Sequence, residues 1–141
     1  MQVRSAARIF GIIYLLVGIL GFIPGISPPA PAGAPPLALS AFYNYVLTLF
    51  AVNWLHSVVH LGIGLWGIAA AGSLIGSRSF FRTVAVIFGL LFILGIIPAT
   101  NTVFGLVPLF GLDAGLHLVT ALVAAYFGWG AAARDDVAVN V

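Results

Sequence analysis

The chain has 141 residues, 62% of them hydrophobic and 6% charged, with a net charge of +2. A soluble domain carries about 25% charged residues, so most of this surface is expected to face lipid, and five scattered arginines make no nucleic-acid patch. Cysteine is absent, which excludes disulfides, thiolate metal sites and thiol nucleophiles.

Four apolar segments follow one another, at about 6–26, 46–72, 80–98 and 114–132. A helix needs about 20 residues to cross the hydrocarbon, and a backbone in lipid must bond internally, so each run is expected to be a membrane-spanning helix. The first is preceded by Arg4 and Arg8 and followed by small residues at Ala30, Ala32 and Ala34, the outline of a signal peptide. It has a counterpart later in the chain, so it is expected to be retained as a span. Pro28, Pro29, Pro31, Pro35 and Pro36 make the next connection extended and non-helical. Phe42, Tyr43, Tyr45 and Trp54 suit the outer interface, as Trp129 and Arg134 suit the inner one. Arg78 and Arg82 fall between the second and third segments, while 27–45 and 99–113 hold neither Lys nor Arg. This asymmetry predicts a cytoplasmic location for both termini.

The two halves resemble each other. Ile9-Phe10-Gly11 matches Ile87-Phe88-Gly89, and Leu20-Gly21-Phe22-Ile23-Pro24 matches Leu94-Gly95-Ile96-Ile97-Pro98. The stripe His56, His60, Gly64, Gly67, Ala71 returns 61 positions later as His117, Ala121, Ala125, Gly128, Ala132. Steps of three and four keep each stripe on one helix face. The expected architecture is therefore all-α: one integral membrane domain over 1–141, a four-helix transmembrane bundle of two tandem hairpins in parallel repeat, about 4–72 and 80–132. Small residues let membrane helices approach closely, so Gly64, Gly67 and Ala71 are expected to meet Ala125, Gly128 and Ala132 at the bundle centre. Gly11, Gly18, Gly21 and Gly25 give the first span a comparable face.

Polar groups at membrane depth are few: Asn53, His56, Ser57, His60, Asp113 and His117. Burying them in hydrocarbon is expensive, so each should face inward and find a partner. Three readings stay open. Asn53, His56, His60, Asp113 and His117 form a structural hydrogen-bond network. Alternatively, His56, His60 and His117 bind zinc, copper or iron, with Asp113 as a further ligand or behind one. In the third, one of these histidines is the axial ligand of a haem or chlorophyll-type pigment. Enzyme templates fail: there is no paired carboxylate for acid–base work, no phosphate loop with lysine, and a poor basis for a Ser-His-Asp triad. No enzymatic activity is expected.

The stretch Asn53-Trp54-Leu55-His56-Ser57-Val58-Val59-His60-Leu61-Gly62-Ile63-Gly64, with Asn101-Thr102-Val103-Phe104-Gly105 and Leu116-His117-Leu118, resembles the DUF4383 family of small bacterial four-span membrane proteins. The resemblance covers about residues 4–131. It implies four spans in a bacterial cytoplasmic membrane, inner or photosynthetic, and singles out Asn53, His56, His60 and His117. It supplies no activity. The leading expectation is a non-enzymatic accessory or structural subunit, contacting the bilayer and other membrane subunits or itself. A metal-, haem- or pigment-binding protein is the alternative, and a small transporter or proton relay is third.

Overall fold

The computed structural model describes residues 2–130. It is mostly helical. Four helices run α1 (Val3–Leu20), α2 (Trp54–Ala70), α3 (Leu74–Ile96) and α4 (Leu112–Trp129), with strands β1 (Asn44–Val46) and β2 (Phe50–Val52) before α2. α1, α3 and α4 are long and apolar enough to cross a membrane. α2 has 17 residues, about 25 Å of helix.

Local chemistry sets the ends. The Asn53 side chain accepts from the His56 N–H at 3.0 Å and opens α2. Ser73 does the same for Gly76 at 3.0 Å and opens α3. Arg78 and Arg82 therefore lie inside α3 and not in a connecting loop. Ile97 precedes a proline and is extended, which stops α3. Gly111, with φ of 69°, turns the chain into α4.

Besides the early start of α3 at Leu74, two further segment boundaries differ from the sequence reading. α1 ends at Leu20, and residues 21–26 are turns, so Gly25 is exposed beyond the helix and contributes nothing to its face. Residues 44–52 are not helical: the second segment, expected from about 46, becomes a helix only at Trp54, after a short two-stranded hairpin. β1 and β2 pair antiparallel with Asn44 opposite Val52 and Val46 opposite Phe50. The free edge of β1 binds the proline-rich segment, Tyr45 N–H to Pro28 O at 2.8 Å and Ala30 N–H to Tyr43 O at 2.9 Å. With those backbone groups paired and Asn53 capping α2, the helix cannot extend back to residue 46.

α1 packs along α2 and α3 along α4, and contact between the two pairs is sparser. Phe80, Phe81 and Phe88 fill the core with Val3, Ala7, Val84 and Ala124. Large apolar side chains such as Leu16, Leu65 and Leu122 are more than half exposed, the distribution expected where the outer surface meets lipid.

The glycine ridges pack differently from the expectation. Gly64 and Gly67 do not face the α4 ridge. They touch α1: a Cβ on Gly64 would lie 2.6 Å from the Leu15 nitrogen, and one on Gly67 would lie 2.9 Å from the Gly11 Cα. Gly128 instead meets Arg82 of α3. Each ridge serves its own hairpin, because the tightest helix contacts are between sequence neighbours. Ala71 is buried at the end of α2, Ala125 is half-buried, and Ala132 and Arg134 lie outside the described residues.

Candidate metal centre

His56 and His60 are one turn apart on α2, and their ring centroids lie 4.4 Å apart. α4 brings the His117 ring to 6.0 Å from that of His56. All three are buried, and each offers one nitrogen such that the three nitrogens lie within 4.8 Å of one another. The Nδ1 atoms of His56, His60 and His117 are buried without a hydrogen-bond partner. Buried polar atoms are usually hydrogen-bonded, which makes these nitrogens candidates for a ligand.

Aromatic rings hold the imidazoles from both hairpins. Tyr14 of α1 stands edge-on to His60 at 5.2 Å. Phe88 of α3 stands edge-on to His117 at 5.1 Å. The Tyr14 hydroxyl and the Thr120 hydroxyl are 3.1 Å apart, joining α1 to α4. Tyr14 and Thr120 did not emerge from the sequence. Thr120 follows His117 by three residues and so shares its face, a signal that could have found it.

The remaining sequence candidates divide. Asp113 is buried in the first turn of α4, with Oδ2 3.4 Å from His117 Nδ1 but not in hydrogen-bond geometry. Asn53 is buried and fully engaged with backbone. Its Nδ2 donates to Leu39 O at 2.8 Å and Leu106 O at 2.6 Å, while its Oδ1 receives His56 N–H. It shapes the site from outside and does not bond a histidine ring. Ser57 points to α1, where its Oγ lies against Gly21. Asn101 and Thr102 organise the 97–111 loop through backbone bonds to Leu109 and Val107.

Two cavities flank the histidines. One of about 160 Å³ lies between α2 and α3 and is lined by all three histidines and otherwise by apolar side chains. The other, about 210 Å³, lies between α1 and α4 and touches His60, His117 and Asp113. Each has the volume of a site for one aromatic ring. Neither accommodates a porphyrin as the helices stand, and the small-residue stripes give no added room because α1 and Arg82 already occupy them.

A family model described as a domain of unknown function, DUF4383, matches residues 4–130. The chain belongs to the DUF4383 family. No curated protein and no solved structure matches it. In this DUF4383 chain the donor set is three imidazoles, which suits zinc, copper or iron. Ligands 2.0–2.1 Å from a tetrahedral ion are about 3.3 Å apart. The histidine nitrogens, within 4.8 Å, need to close by about 1.5 Å at most.

Proposed function

We propose that this DUF4383 protein is an integral membrane protein of four spans that holds one transition-metal ion through His56, His60 and His117. The single observation that carries this reading is three buried imidazoles from two helices, each offering a nitrogen within 4.8 Å of the others. Asp113 beside His117 is placed to orient that ring once a ligand takes its other nitrogen. The accessory-subunit reading rests on composition alone, so the metal reading takes precedence.

Four spans and a tandem repeat are part of the proposal. α2 is short, but it runs antiparallel to α1 through close contacts from Gly18–Leu61 to Ala7–Gly67, so it crosses the same depth. Repeat symmetry is supported by Arg4 and Arg82, which occupy matching positions and each clasp the end of the next helix, with acceptors one turn apart in the repeat register. Arg4 Nε donates to Ala71 O at 3.1 Å, at the end of α2. Arg82 Nε donates to Gly128 O at 2.9 Å, at the end of α4. Both place a cation at a helix C-terminus. The arginine asymmetry supports cytoplasmic termini in a bacterial cytoplasmic membrane.

Metal analysis of the full chain purified in mild detergent tests the reading. One ion per chain is expected, retained in Ser57→Ala and lost in His56→Ala, His60→Ala and His117→Ala. Protein that carries background metal and takes up neither zinc nor cobalt(II) on titration overturns it.

A further inference from the structure

We infer that the cavity between α2 and α3 seats a small uncharged ring bearing an oxygen, of the quinone headgroup class, delivered from the lipid. The inference rests on the metal reading, because three histidine ligands leave a fourth position open on a tetrahedral ion. Four observations point to this ligand. The cavity is lined by all three histidines, and the open position of the ion is taken to face it. Its volume of about 160 Å³ matches that of cavities that hold a single benzene ring.

Its walls, including Ile63, Ile87, Leu91 and Val107, are apolar, and an ion entering them would lose its hydration without compensation. Finally, the mouth lies on the lipid side. Val59 and Ile87 line the cavity and are 45% and 42% exposed on the outer surface of the bundle. A ligand dissolved in the bilayer therefore enters between the two hairpins, where helix contact is sparse, and a hydrocarbon tail can trail into the lipid. A carbonyl oxygen supplies the lone pair for the open position, and the ring fills the apolar walls.

The test uses the full chain in lipid nanodiscs, loaded with cobalt(II), whose visible spectrum reports its ligands. Titration with 2,6-dimethyl-1,4-benzoquinone is expected to change that spectrum saturably. Meta-xylene, the same carbon skeleton without the oxygens, is expected to leave it unchanged. Val59→Trp, which fills the mouth, is expected to weaken quinone binding at least tenfold with cobalt content unaltered. Ile87→Trp on the facing helix repeats the test if the first variant does not fold. Ile13→Trp, at the cavity between α1 and α4, is expected to leave binding intact.

Full cobalt occupancy with no saturable response to the quinone overturns this inference and leaves the metal reading standing. No cobalt uptake overturns the metal reading, and this inference with it. Loss of binding in Ile13→Trp but not in Val59→Trp or Ile87→Trp also overturns the assignment, because the ring then sits on the other side of the histidines.

Discussion

Asn53 shows how much one side chain can hold at one end of the bundle. Its amide caps α2 and donates to two carbonyls from distant loops, Leu39 and Leu106. Loss of an N-cap costs about 1 kcal/mol, and each neutral hydrogen bond contributes about as much. Asn53→Ala is therefore expected to destabilise the fold by about 2–3 kcal/mol, read by thermal unfolding in detergent. Asn53→Asp separates the two roles. The carboxylate keeps the cap acceptor but faces two carbonyl oxygens without a donor, so destabilisation is again expected. A neutral effect of Asp would show that the cap alone matters. The histidines differ from Asn53 in clustering, with one nitrogen of each ring within 4.8 Å of the others, which is why they carry the ligand reading and Asn53 does not.

Between elements, the glycines differ by what they touch. A Cβ at Gly67 would meet the backbone of Gly11 at 2.9 Å, and a helix backbone cannot yield without separating α1 from α2. At Gly128 the nearest atom is the Arg82 Cγ at 2.9 Å, on a flexible side chain, although the Arg82 nitrogen follows at 3.1 Å. Overpacking costs about 1–3 kcal/mol. Gly67→Leu is expected at or above the top of that range and Gly128→Leu lower within it. Gly89 faces open space, so Gly89→Ala is expected to stabilise α3 by up to about 1 kcal/mol through helix propensity. Denaturation of the three variants in one detergent checks the order. Equal stability of Gly67→Leu and wild type would mean that α1 and α2 do not touch along this ridge.

For the whole molecule, the expected topology places both ends of the chain on one side. A reporter fused after Val141 is expected to read as cytoplasmic, and one inserted between Pro31 and Pro35 as external. The proline-rich segment and the β1–β2 hairpin would then form an outer cap, joined to the 97–111 loop through Leu39 N–H to Gly105 O at 3.1 Å. An external reading at the C-terminus would require an odd number of crossings. α2 would then be the helix to remove from the count, because it is the shortest of the four.

Composition and periodicity suffice for the helices, because apolar runs near bilayer length leave the backbone few other ways to satisfy its hydrogen bonds. They suffice also for His56 and His60, which share a face by spacing alone. They do not reveal the β1–β2 hairpin. Tyr45, Val46, Phe50 and Val52 read equally well as the start of an apolar helix, and the choice was made by pairing with Pro28 and Pro29, distant in the chain. Nor does a small-residue stripe say which helix it meets: Gly64 and Gly67 found α1, and Gly128 found Arg82. The meeting of His117 with His56, the enclosure of His60 by Tyr14 and the cavities on either side all depend on how the two hairpins dock. Periodicity along one helix sets the direction of its side chains, whereas proximity between helices is a property of the packed bundle.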